Sequence, residues 1–444
     1  MSADDTFPAP TGPATAPPDA APPATLGRRL RRVGPGILAA AAGVGSGDLV
    51  ATMIAGAQLG TVLLWAVVLG AAFKLVLSEG IGRWHLGSTM TLLDGWRRLG
   101  YWATGFFGAY LIVWGLAYGA TAMSAVGLSL NALFGGLPVR YWGMIAGVTG
   151  LVLVWAQRYY VFERFVAVLV AVKFVAVVTV AVLVAPRLGA AIASGLVPRL
   201  PEGSTIYVLG LIGGVGGVVT MAAYGYWAFA KGWTDTRWLS MMRLDNAVGY
   251  VMTAIFVVAM MISGAAMLYG EDLVADDRGL VTLGTALGAE YGSWARIVFY
   301  IGFLAVTSSA LFGAWNGGAL LFHDWLRLIR LPHGKKMIAE TAMGRAPGYA
   351  ARQAERSTPF RAYLLWITFP PMLLLFLDRP FAVTLAYGMF GAFFIPFLAT
   401  SLLLLLNSRA MAPEARSGWL SNLLLGAAVA LFTVLMATSI LDLM

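Results

Sequence analysis

The chain has no cysteine, which excludes disulfides and thiolate metal sites. Histidine is nearly absent: His85, His323 and His333 are the only three among 444 residues, too few and too scattered for a His-rich metal cage. Charge is scarce as well. Charged residues make up 11% of the chain, against roughly 25% in ordinary soluble domains. No Gly-x-x-x-x-Gly-Lys-Ser/Thr stretch occurs, which argues against an ATP-driven pump. No Ser/His/Asp set is placed for hydrolysis, and no symmetric pore loops suggest a channel. Nothing in the pattern points to an enzyme or to a bound cofactor.

What the chain has is apolar length. It is 59% hydrophobic, and long apolar runs recur throughout, as in a polytopic α-helical protein of the lipid bilayer. Many of the 15 tryptophans lie near run ends, where interfacial anchors belong. The net charge of +9 does not indicate nucleic acid, because the basic residues sit between the apolar runs. Residues 1–33 begin as a Pro- and Ala-rich arm that cannot bury a core and is expected to be disordered and cytoplasmic. It lacks the pattern of a signal peptide. Arg28, Arg29, Arg31 and Arg32 follow it.

Eleven spans are expected, at 34–58, 62–82, 101–132, 141–157, 163–185, 206–230, 245–269, 292–322, 360–377, 380–406 and 418–441. With the N-terminus inside, 21 Lys and Arg fall on the cytoplasmic side and 6 outside. Three more, Lys74, Lys173 and Arg361, lie in or at spans. This asymmetry is the positive-inside rule, and a miscounted span would invert every later loop. The acidic stretch with Glu271, Asp272, Asp276 and Asp277 falls outside, and 323–359 reads as a long inner loop with room for a short interfacial helix.

The first span, GPGILAAAAGVGSGDLVATMIAGAQLG (Gly34–Gly60), is interrupted by Gly43, Gly45 and Gly47, and a carboxylate, Asp48, follows at once. Hydrocarbon offers no water to satisfy a broken backbone, so a break persists only where it lines a cavity or binds something. An ionisable group at that depth marks a functional site. The sixth span, LIGGVGGVVTMAAYGYWAFAKGW, carries Gly213, Gly214, Gly216 and Gly217 in its first half. Two glycine-interrupted spans five apart point to an inverted-repeat transporter with its site at mid-membrane. The expected fold is all-α, with five-helix repeats at 34–185 and 206–406 and an additional eleventh helix at 418–441.

The GPG-x-L-A-A opening, AGAQLG-x-x-LLW at Ala55–Trp65 and LNALFGGLP at Leu130–Pro138 resemble the Nramp family of divalent-metal transporters. The resemblance spans about 34–440 and implies a leucine-transporter-like architecture with proton-linked metal import. The functional motifs differ. Where the family has Asp-Pro-Gly-Asn, this chain has Gly45-Ser46-Gly47-Asp48, so the usual metal carboxylate is Gly45 and the amide position has become Asp48. In the sixth span the best match to the family's small residue and Met-Pro-His-Asn is Val218 followed by Met221-Ala222-Ala223-Tyr224. The acidic positions of the third span fall at Thr121 and Ser124, and the sixth-span His pair is missing. The pattern is that of a divergent branch.

Taken as chemistry, the site offers the Asp48 carboxylate, carbonyls freed at Gly45–Gly47 and near Val218, and the Met221 thioether. Oxygen donors with one soft sulfur suit Mn²⁺- or Fe²⁺-like ions, with Mg²⁺ also open. The rival is a small organic amine or carboxylate. Gly-Ser-Gly at a broken helix exposes N–H groups to an anion, and it is similar to the motif of amino-acid/polyamine/organocation transporters. Tyr224 or Trp227 could stack over an amine held by Asp48. Coupling candidates are Lys173, mid-span, with Glu79 and Asp245; Lys173 could stand as a fixed positive charge in place of a coupling cation. For Lys74, Glu79 and Asp245, snorkelling or a static ion pair is the plainer expectation. The protein is expected to act as a monomer in the inner membrane.

Overall fold

The computed structural model describes residues 22–23, 25–156, 159–204, 207–208, 211–212, 217, 219–270, 278–330, 354–377 and 394–441. Within its helices, the side chains of residues 40–42, 46–48, 159–162, 278, 435–436 and 438–441 are outside the described set. The disordered arm expected over 1–33 falls mostly outside it, as do the acidic stretch at 271–277 and Gly213, Gly214, Gly216 and Val218.

The apolar runs fold into helices because a backbone without water must satisfy its own hydrogen bonds. In chain order these are α1 (Leu26–Leu30), α2 (Pro35–Gly43), α3 (Ser46–Leu59), α4 (Leu64–Ser88), α5 (Leu92–Leu99), α6 (Tyr101–Phe134), α7 (Val139–Ala156), α8 (Tyr159–Val184) and α9 (Ala191–Ser194). They continue with α10 (Tyr224–Ala230), α11 (Leu239–Met267), α12 (Arg278–Tyr291), α13 (Ser293–Arg330), α14 (Thr358–Leu374), α15 (Phe394–Leu406) and α16 (Trp419–Leu441). Among the described residues, seven helices are long and apolar enough to cross a membrane, and each of the eleven expected spans contains helix.

Two helices organise the rest. Helix α11 packs against α2, α3, α4 and α8, and α13 packs against α2, α6, α8 and α14. The α3–α11 contact is backbone on backbone: a Cβ on Gly56 would strike the Met261 carbonyl, and one on Gly264 the Met53 carbonyl. Small residues allow this approach in lipid, where van der Waals packing rather than hydrophobic expulsion joins helices. Large apolar side chains such as Val168, Val175, Val182 and Leu373 remain exposed on the outer surface, as acyl chains require.

Three features depart from the expected layout. Helix α13 runs on to Arg330, so 323–330 is helix, with Asp324 and Leu328 buried, rather than the start of a loop. Helix α5 fills the connection after the second span. Its capping box has the Asp94 N–H donating to Thr91 Oγ1 and the Thr91 N–H donating to Asp94 Oδ2, both at 3.1 Å. Helix α12 lies in the connection read as an outer loop. All three are local amphipathic or capped segments that a search for apolar runs passes over.

Candidate functional site

The first span is broken where its glycines fall. Helix α2 ends at Gly43, Val44 and Gly45 leave the helix, and α3 restarts at Ser46. The second break lies opposite. Gly217 is outside helix at φ +67°, Thr220–Ala223 form one 3₁₀ turn, and α10 begins at Tyr224. A Cβ on Gly217 would strike the Cα of Gly43. The two interruptions therefore meet backbone to backbone, and only glycine tolerates both that approach and the positive φ.

Around this junction the structure gathers most of the candidate residues. Gly45 faces Ala310 of α13 and the Tyr118 hydroxyl of α6, at 3.4 and 3.6 Å from where a Cβ would stand. Met221 is fully buried in the 3₁₀ turn, which packs on α2 and α13. Ser46, Gly47 and Asp48 form the first turn of α3, with their side chains outside the described set, as is Val218. Among the described residues, no group of three or more His, Asp or Glu is placed to hold a metal. The described donors near the breaks include backbone carbonyls, the Tyr118 and Thr220 hydroxyls and the Met221 thioether.

Asp245 is completely buried on α11 and acts as a clasp. Its carboxylate accepts the backbone N–H of Gly34 at 2.8 Å and of Gly36 at 2.6 Å, and the Tyr224 hydroxyl at 2.9 Å. It satisfies donors that the start of α2 leaves without intrahelical partners, and an anion there is favoured by the helix dipole. Nearby, Lys231 at the end of α10 pairs with Glu163 of α8 at 2.6 Å. Trp227 donates from Nε1 to Asn316 Oδ1 of α13 at 3.0 Å. Tyr224 and Trp227 thus tie α10 to α11 and α13.

Two lysines are buried at the breaks. Lys74 on α4 is 0% exposed, and its Nζ donates to the Gly217 carbonyl at 3.1 Å. This departs from the snorkelling expectation: α4 extends to Ser88, which leaves Lys74 in mid-helix. Lys173 on α8 donates to Ser309 Oγ of α13 at 3.3 Å and lies 5.7 Å from the Phe256 ring. It lines a small cavity with Ile37, Val44 and Thr253, beside the first break. Glu79 is not brought there. It is held by Arg83 one turn on and by Arg243 of α11, each at 3.1 Å.

A further cluster escaped sequence reasoning. Arg327 of α13 donates to Asp94 Oδ1 of α5 and to Asp324 Oδ1 on its own helix, both at 2.6 Å. Thr91 Oγ1 is 2.7 Å from Asp324 Oδ2 and 2.9 Å from Asp94 Oδ2, and the Tyr226 hydroxyl of α10 donates to Asp324. Burial pushes the Asp94 carboxyl above its ordinary range, the neighbouring Asp324 charge adds to this, and Arg327 opposes it. The network joins α5, α10 and α13. The local signals were the Thr91–Asp94 capping box and the Asp324–Arg327 spacing of three, neither of which reveals a shared partner.

Two helices broken at mid-length and packed break to break, inside a bundle long enough to cross a bilayer, define a secondary transporter of the leucine-transporter-like architecture. The profile of the Nramp family (natural resistance-associated macrophage protein-like) matches residues 36–442, so the chain belongs to that family. The fold is similar to that of a point variant of the Eremococcus coleocola manganese transporter, with a TM-score of 0.72 at 16% identity over 93% of this chain and 86% of that one. The same transporter in complex with an aromatic bis-isothiourea substituted compound gives 0.72 at 16% identity, over 96% and 90% of the two chains. MhsT in complex with L-phenylalanine is similar at 0.55 and 14% identity, over 92% and 97%. No curated protein matches the sequence.

Proposed function

We propose that the chain carries divalent metal ions of the Mn²⁺/Fe²⁺ kind, with Mg²⁺ as a further candidate, across the inner membrane by proton-coupled alternating access. The observation that carries this reading is the glycine-to-glycine junction of Gly43 and Gly217, which leaves unwound backbone at the centre of an Nramp-family bundle. Carbonyls freed there, the Met221 sulfur and the Asp48 carboxylate supply the donors. Residues 34–185 and 206–406 are the two repeats that rock against each other, 418–441 is an addition, and the N-terminus is cytoplasmic. The protein works as a monomer.

Family membership favours metal over an organic amine or carboxylate. The aromatic groups that would have stacked on an amine, Tyr224 and Trp227, already bond Asp245 and Asn316. Calorimetry with Mn²⁺, Mg²⁺ and an amino-acid panel, paired with uptake into proteoliposomes, tests the choice. Metal heats in the wild type that vanish in Asp48→Ala support the metal reading. Amino-acid heats without metal heats would overturn it.

In this reading Lys173 stands in place of a coupling cation, as a fixed positive charge between the first break and Ser309. Lys173→Met removes a buried charged hydrogen bond worth about 1.5–3 kcal/mol. Uptake is expected to fall by about tenfold or more at equal expression. Unchanged transport in that variant dismisses the assignment.

A further inference from the structure

The charge of Lys74 is bonded directly to the second break. Its position is not a default for lysine. It is the eleventh of 25 residues in α4, about 15 Å along the axis from the nearer end, farther than a lysine stem reaches. The ammonium is therefore committed to the interior, where an ion persists only with partners. One such partner is the carbonyl of Gly217, a residue outside helix at φ +67° and packed on Gly43. Carbonyls of unwound segments are the groups that coordinate cations in transporters of this build. An ammonium on such a carbonyl occupies it as a bound ion would, with the difference that it cannot diffuse away.

We propose that Lys74 is a tethered occupant of the cation site: its ammonium holds the Gly217 carbonyl and competes with the cargo ion for it, which keeps the site's affinity for divalent cations low. This rests on the metal reading for the nature of the cargo. Two consequences follow from charge alone. A divalent ion and the ammonium repel in a poorly screened interior, so the ion binds fully only when Lys74 withdraws. The same repulsion hastens release once the lysine returns. Lys74 thereby sets specificity by opposition, disfavouring ions that bind too weakly to displace it.

The test is Mn²⁺ calorimetry on the full chain in detergent for the wild type and for Lys74→Met, Lys74→Gln and Lys74→Arg, each checked for a monodisperse elution peak. The Gln side chain retains a donor for the Gly217 carbonyl, so the fold has a neutral variant that keeps the contact. Both neutral variants are expected to bind Mn²⁺ about tenfold tighter or more, because they remove the repelling charge, while Lys74→Arg stays at the wild-type level. A folded neutral variant that binds no tighter, or an Arg variant that tightens equally, overturns the proposal. Wild-type Mn²⁺ uptake into proteoliposomes separates the two readings. Uptake without tightening in the neutral variants removes the role of Lys74 and leaves metal transport standing. No wild-type uptake, with tight binding in the neutral variants, removes metal as the native cargo and keeps the tethered cation. No binding in any variant removes both.

Discussion

Arg327→Met is expected to destabilise the protein by about 3–5 kcal/mol, the usual consequence of stripping one partner from a buried ion pair. The size follows from what remains. Asp94 and Asp324 are 1% and 2% exposed, and both lean on the one guanidinium and on Thr91. Methionine fills the volume but supplies no donor, so two buried carboxylates are left with the Thr91 and Tyr226 hydroxyls. The loss is pH-dependent with a definite sign. Burial already raises the Asp94 carboxyl above its unfolded value, and removing Arg327 takes away the main opposing influence. An acid raised in the folded state favours its protonated form, so the variant is most stable at low pH and loses stability as pH rises. Thermal unfolding at pH 5.5 and 8 should show a deficit that widens at the higher pH. Arg327→Lys should recover only part of it, because an ammonium cannot reproduce the two-pronged bond to both acids. A methionine variant that melts with the wild type at both values would show that the network contributes nothing to stability.

The second large effect belongs to Gly217. Gly217→Ala places a Cβ against the Gly43 backbone and 2.8 Å from Thr220 Oγ1, at φ +67°. The left-handed conformation alone costs an L-residue roughly 1–2 kcal/mol. The collision adds to this, because backbone on the far side cannot rotate away as a side chain would. Gly203 provides the control: its φ is +74°, and nothing lies within 4 Å of a Cβ there. Gly203→Ala should lose about 1 kcal/mol and leave uptake intact. Gly217→Ala should lose clearly more, and uptake should fall to background even where folded protein is recovered, since the breaks can no longer meet. Equal behaviour of the two alanine variants in thermal unfolding and uptake would show that the junction is not needed.

The sequence by itself determined the helical membrane bundle, the two interruptions and the family. Each of these is written locally: an apolar run of the right length, a cluster of glycines, a short motif such as Ala55–Trp65. Tertiary structure alone decided how the polar groups in the interior are used. Lys74 and Glu79 read alike from one span, yet one reaches the Gly217 carbonyl and the other is held by two arginines. Asp245, a coupling candidate for which a static pair was the plainer expectation, is held at the start of α2 by the Gly34 and Gly36 N–H groups. Asp94 and Arg327 carried no joint signal at all. The physical reason is separation along the chain. These partners lie 143, 211 and 233 residues apart, and hydropathy and glycine spacing act over a turn or two of helix. A buried charge announces in sequence that it needs a partner, but only the packing of α4, α11 and α13 around the breaks decides which one it finds.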